Sequence, residues 1–63
     1  MDKKEALKLV QKSGHELVYL PDEFKKDKEI VLEAVKTYGR ALEFADDSLK
    51  NDPDILEIVN KDK

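Results

Sequence analysis

The clearest pattern of apolar and polar positions lies in the middle of the chain. Between Asp27 and Gly39 the apolar residues fall at spacings that place them on one face of a helix: Ile30, Val31, Ala34, Val35 and Tyr38. Asp27 is a favourable N-cap, and Glu29 suits the positive end of the helix dipole. A helix is therefore predicted after Asp27, and Gly39 is expected to end it in the left-handed C′ conformation.

A second, shorter apolar face follows this helix. It is formed by Ala41, Leu42 and Ala45, and Asp46 or Asp47 can then cap a last turn that carries Leu49. Asp52 is a further N-cap, with Pro53 in the first helical position, where its missing N–H has no cost. The pattern thus predicts a longer helix, a short helix and a last helical turn capped by an aspartate.

The same pattern recurs at an interval of 25 residues. Residues 2–26 aligned with residues 27–51 are identical at eight of 25 positions: Asp2/Asp27, Lys3/Lys28, Leu7/Leu32, Val10/Val35, Gly14/Gly39, Leu17/Leu42, Asp22/Asp47 and Lys25/Lys50. A third copy begins at Asp52, where the match of residues 55–59 with residues 31–35 suggests that one residue has been lost at the joint. We name residues 2–26 the first unit, 27–51 the second unit and 52–63 the partial third unit.

The first unit is the least apolar. Glu5 stands at the position of Ile30, as expected of a terminal unit that faces solvent. Gly14 is expected to end its long helix in the same left-handed conformation as Gly39, and its short helix, His15 to Leu20, is expected to stop before Pro21. The sequence therefore predicts one all-α domain over residues 1–63, in which short helices from about two and a half units stack in a compact, solenoid-like array.

Composition narrows the possible compartment and partners. Charged residues make up 43% of the 63 residues, the net charge is −3, and there is no Cys. A small domain without disulfides is typical of the cytoplasm, and no apolar run is long enough for a membrane span or a signal peptide. Interspersed charges of both signs are typical of a solvated helical surface.

Few residues are candidates for chemistry. His15 is the single His and is predicted to be exposed, since the equivalent position holds Arg40. The acidic run from Asp46 to Asp54 lacks the Gly of a calcium loop and has Lys50 at a ligand position, so it is interpreted as successive helix caps. We therefore predict no catalytic, cofactor-binding or metal-ligating residue, and no cofactor.

Two further groups of side chains bear on binding. Lys25, Lys26 and Lys28 form a basic cluster, but acidic residues interrupt it, so a nucleic-acid surface is not favoured. The aromatic residues occupy related positions in the units and are expected to pack in the core: Tyr19, Phe24, Tyr38 and Phe44.

The second unit, with its sequence DKEIVLEAVKTYGRALEFADDSLKN followed by Asp52, resembles a tandem-repeat domain of unknown function found in bacteria and some protists. The first unit fits this resemblance loosely, with Leu9 in place of an Ala and with the departure at Pro21. The resemblance covers essentially the whole chain and implies an all-α stack of short helices. It implies no activity and no site residues.

The function expected from the sequence is that of a non-enzymatic helical repeat module for protein–protein interaction or for structure. The alternative is a small regulatory nucleic-acid-binding protein. The expected partner is an unidentified protein, without nucleic acid or membrane, and the chain is expected to be a monomer or a weak homodimer.

Overall fold

The computed structural model describes residues 1–61. Within these residues the fold is all-α without any strand, as the sequence predicts. Five α-helices and two 3₁₀ segments follow one another: α1 (Lys3–Lys12), the first 3₁₀ segment (Gly14–Tyr19), α2 (Asp22–Lys25), α3 (Lys28–Thr37), the second 3₁₀ segment (Gly39–Phe44), α4 (Asp47–Lys50) and α5 (Pro53–Lys61). A long helix, a 3₁₀ segment and a one-turn helix thus occur twice in the same order.

Aspartate caps set the starts of four helices. The Asp27 carboxylate accepts hydrogen bonds from the backbone N–H groups of Glu29 and Ile30, at 3.0 and 3.4 Å. Asp2 and Asp46 cap α1 and α4 in the same way. These bonds satisfy N–H groups that have no partner inside the helix, which is why the predicted starts coincide with the observed ones.

The start of α5 settles how the partial third unit aligns. Asp52 accepts from the N–H groups of Asp54 and Ile55 at 2.9 and 3.4 Å, which reproduces the two bonds of Asp27 at an interval of 25 residues. The suggested loss of one residue at this joint is therefore wrong at the helix start. Residues 62 and 63 of this unit lie outside the described residues.

The core is centred on α3. Its four inward residues, Ile30, Val31, Ala34 and Val35, have no exposed surface. This helix packs against α1, α2, α5 and both 3₁₀ segments. The outer helix α1 buries only Ala6 and Val10, while Glu5 is exposed, as predicted for a terminal unit.

The two glycines do not have the predicted conformation. Neither Gly14 nor Gly39 has a positive φ, and each begins a 3₁₀ segment instead of ending a helix in the left-handed region. Gly14 has a different reason to be glycine. A Cβ there would collide with the carbonyl oxygen of Ala34 and would lie 2.8 Å from Thr37 Oγ1 and from Tyr38 Cβ. The residue is small because α3 passes directly over it.

A side-chain bond strengthens the same crossing. The Thr37 hydroxyl lies 2.9 Å from the carbonyl oxygen of Val10 in α1 and 3.1 Å from that of Ala34 in its own helix. A hydroxyl has one hydrogen to donate, so it is shared between the two carbonyls or alternates between them. It links the C-terminal ends of α1 and α3.

No helix among residues 1–61 is long and apolar enough to cross a membrane.

Candidate functional site: an aromatic patch and a terminal groove

The described residues form a small body with extents of 31 × 22 × 15 Å. Thirteen buried hydrophobic side chains fill its core. The candidate functional features described below lie at the surface.

Four rings form a cluster on one side of the domain. The His15 ring lies 5.5 Å from that of Phe44, 5.6 Å from that of Tyr38 and 6.1 Å from that of Tyr19, measured between centroids. Tyr38 and Phe44 stack at 6.5 Å with an angle of 28°. We name these four residues the aromatic patch.

The patch lies at the edge of the core, and Tyr19 corrects the prediction that all four aromatic residues pack in the core, whereas Tyr38 and Phe44 do pack against it. Phe24 is buried as expected, but Tyr38 and Phe44 are half-buried and Tyr19 is 73% exposed. His15 is exposed, as predicted, yet its ring packs among the other rings. Among the described residues, no hydrogen bond joins this ring to a carboxylate.

The two 3₁₀ segments explain why these rings meet. Tyr19 and Phe44 are each the last residue of such a segment, 25 residues apart, and the two segments pack against each other. Tyr38 comes just before the second segment, and His15 is the second residue of the first. The pairing of the segments therefore brings all four rings to one face.

A groove of about 820 Å³ lies beside the patch, at the end of the fold formed by α5. We name it the terminal groove, and its lining residues are Tyr38, Gly39, Arg40, Leu42, Glu43, Lys50 and Val59. Tyr38 belongs to both surfaces. Most of the lining surface is apolar, and its charged residues are Arg40, Lys50 and Glu43.

Equivalent residues differ in exposure at this groove. Leu17 in the first unit is completely buried, whereas Leu42 at the same position of the second unit is half-buried and open to the groove. Gly14 is buried and Gly39 is half-buried. The second unit thus exposes a surface that the first unit keeps covered.

Equivalent ion pairs join each unit to the next. Lys3 Nζ lies 3.1 Å from carboxylate oxygens of both Asp27 and Glu29. One unit later, Lys28 Nζ lies 2.7 Å from Asp54 and 3.3 Å from Asp52.

These contacts raise the pKa of both lysines. For Lys3 the hydrogen bond to Glu29 is the largest cause and that to Asp27 the next, and for Lys28 the bond to Asp54 precedes that to Asp52. Lys28, a member of the basic cluster, is thereby engaged by two carboxylates.

The acidic run is occupied by structural contacts. Asp46 accepts from the N–H of Ser48, and hydrogen bonding from Ser48 lowers the pKa of Asp46. Burial acts to raise the pKa of Asp52, but the N–H of Asp54 and the ammonium of Lys28 outweigh it and the pKa is lowered. Both carboxylates act as helix caps, as predicted from the sequence.

Sequence reasoning missed both surfaces. One available signal was the spacing of Gly14, Leu17 and Leu20, which are all buried and recur every three residues, the period of a 3₁₀ helix. On that period Tyr19 lies above Glu16, away from the buried positions. No comparable signal marks the terminal groove, because it depends on which neighbours are present.

Comparison with known proteins matches the chain to a family model. The family described as Domain of unknown function (DUF4116) matches residues 2–50 and, in a second match, residues 27–62. No curated protein and no solved structure matches the chain.

Proposed function

The chain belongs to the DUF4116 family of unknown function, and from that premise we propose that it is a non-enzymatic protein-interaction module. The observation that carries the proposal is the aromatic patch, with Tyr19 73% exposed beside three further rings. Tyr38 and Phe44 are partly exposed while they pack against the core, so the patch joins an exposed ring to a fixed base.

The chemistry of the patch suits a protein surface as its partner. Tyr and other aromatic side chains are enriched at the centre of protein interfaces, because they bury a large area and lose few rotamers on binding. The rings of Tyr38 and Phe44 pack against the core and stack on one another, so part of their rotamer freedom is already lost before a partner binds.

The architecture supports the same reading. We propose that the units form a solenoid-like stack, since α1, α3 and α5 pack in succession and the ion pairs of Lys3 and Lys28 repeat between neighbours. Stacks of this kind present an extended surface to their partners. The cytoplasm is the proposed compartment because the chain has no Cys.

The experiment compares partners recovered from the source cell by the tagged wild-type chain and by Tyr19→Ser. Tyr19 is mostly exposed, so this change should leave the melting temperature nearly unchanged. We expect the Tyr19→Ser chain to lose proteins that the wild-type chain retains. Glu5→Ala is the matched control, because Glu5 is exposed and lies in α1, outside the aromatic patch. This variant should retain the same proteins as the wild type.

Two outcomes would count against the proposal. Equal recovery of every partner by Tyr19→Ser would remove the aromatic patch as the binding surface. A shift of nucleic acid by the wild type that weakens steeply between low and moderate salt would favour the alternative, a nucleic-acid-binding protein.

A further inference from the structure

One edge of the first 3₁₀ segment carries an acid and an exposed ring. A 3₁₀ helix has three residues per turn, so side chains three positions apart lie one above the other. Glu16 and Tyr19 are such a pair, on a different edge from the buried Gly14 and Leu17. Glu16 is half-buried and Tyr19 is 73% exposed. The most exposed ring of the aromatic patch therefore has a carboxylate one turn below it.

The sequence around Tyr19 is acidic. The twelve residues from Ser13 to Phe24 contain three carboxylates and no Lys or Arg: Glu16, Asp22 and Glu23. None of these three carboxylates forms an ion pair with another residue of the range 1–61. The charge beside the exposed ring is therefore not neutralised by the described part of the chain.

The bordering charges do not reverse this sign. The second 3₁₀ segment contributes Arg40 and Glu43, which cancel, and Lys12 and Lys25 flank the acidic stretch. With all of them counted, and His15 left out, three cations stand against four carboxylates, a net charge of 3 − 4 = −1. The surroundings of the aromatic patch thus complement a cation better than an anion.

A ring beside a carboxylate suits a guanidinium in particular. The guanidinium plane stacks on an aromatic face, and its fork of N–H groups can bind a carboxylate through two hydrogen bonds. Tyr19 supplies the face and Glu16 the carboxylate. The neighbouring His15 ring, 6.1 Å from that of Tyr19 between centroids, adds apolar surface for the methylene groups of an arginine.

We propose that the aromatic patch binds an arginine side chain of a partner protein, stacked on the Tyr19 ring and hydrogen-bonded to the Glu16 carboxylate. This inference rests on the proposed function as an interaction module, and it names the chemistry that the partner presents. The basis is the exposed ring together with the sign of the charge around it.

The equivalent edge of the second unit lacks both features. Ala41 stands at the position of Glu16 and is completely buried, and Phe44 stands at the position of Tyr19 and is half-buried. No carboxylate lies one turn below that ring. The arginine site therefore belongs to the first unit, and it is not a general property of the repeat.

The test titrates the full ¹⁵N-labelled chain with an amidated peptide of four arginines. A peptide of four lysines is the matched control, since it has the same charge and length without the planar fork. We expect saturable amide shifts concentrated at His15, Glu16 and Tyr19. The arginine peptide should bind about twofold to fivefold more tightly than the lysine peptide, as expected for stacking at an exposed ring.

A charge variant tests the carboxylate. Glu16→Gln keeps the shape of the side chain and should weaken binding of the arginine peptide by about threefold. Glu5→Gln removes the same charge from an exposed position in α1, outside the patch, and should bind the peptide like the wild type.

Ring variants test the stacking. Tyr19→Leu should bring the ratio of arginine to lysine affinity close to one, whereas Tyr19→Phe retains the face and should keep the preference. A purely structural role of Tyr19 would not change this ratio. Folding of each variant is checked by circular dichroism, and the two positions are independent, so misfolding of one variant leaves the other informative.

The proposal is overturned if the arginine and lysine peptides bind the wild type equally, or if Glu16→Gln and Glu5→Gln bind the arginine peptide alike. Shifts at the patch from a peptide of four prolines, with none from the arginine peptide, would also overturn it by identifying an uncharged ligand. These outcomes are distinct from failure of the proposed function. Loss of cellular partners by Tyr19→Ser with full recovery by Glu16→Gln would leave the interaction module in place and remove the arginine as its ligand.

Discussion

At the scale of single residues, Gly14 has no room for a side chain because α3 lies against it. Because a Cβ would collide with the Ala34 carbonyl oxygen, Gly14→Ala should lower the free energy of unfolding by about 3 kcal/mol, as expected for overpacking against backbone. A loss of that size corresponds to more than about 10 °C in melting temperature for a domain of this length. Gly39→Ala is the matched control and should shift it by only a few degrees, because Gly39 borders the open groove. Equal effects at the two positions would contradict this explanation.

Val35 tests the centre of the core. It has no exposed surface and lies on the helix that contacts most other elements. Val35→Asp should unfold the domain, since an unpaired buried carboxylate costs several kcal/mol against a total stability of about 3–9 kcal/mol. Thermal melts followed by circular dichroism would show this, with Glu5→Ala as the near-silent partner. A cooperative melt of Val35→Asp near the wild-type temperature would disprove the assignment.

At the scale of elements, the cap of α5 should make stability depend on acid. The pKa of Asp52 is lowered in the folded chain, so its contribution is present above the unfolded value near 3.9 and is lost as the pH falls through the lower folded value. Asp52→Asn retains a capping side chain but removes the charge that faces Lys28. We expect this variant to melt below the wild type at pH 7 and close to it at pH 2. A difference that is the same at both pH values would contradict the linkage.

Helix starts could be predicted from the sequence because a cap is a local interaction. Asp27 bonds to N–H groups two and three residues away, and the same holds for Asp52. The conformation of Gly14 could not be predicted in this way. It depends on α3, twenty residues later in the chain, which lies across it.

The candidate site was less predictable than the helices. The apolar period identified the α3 core residues, whereas the exposure of Tyr19 follows from the tighter winding of a 3₁₀ segment. The terminal groove follows from the absence of a neighbour for Leu42 within the described residues. Such a surface is a property of the arrangement of units, and the identical residues Leu17 and Leu42 accordingly differ in exposure.

At the scale of the whole molecule, the chain should fold without a metal ion. The carboxylates of the acidic run are engaged as caps and in ion pairs with Lys28 and Lys50. We expect the far-ultraviolet circular dichroism spectrum to be helical and identical in the presence of a chelator and of added calcium or zinc. A spectrum that becomes helical only when metal is added would contradict this prediction.

The central place of α3 also has a consequence for the folding pathway. Every large packing partner of this helix lies within about one unit of it along the chain, so the contact order is low and folding should be fast, in the range of milliseconds or less. Because α3 joins both sides of the core, it is the element around which the transition state should form. Ala34→Gly should therefore slow folding, while Ile55→Val, in the last helix, should mainly accelerate unfolding. Stopped-flow rates for these two variants would locate the nucleus, and a φ-value near zero at Ala34 would place it elsewhere.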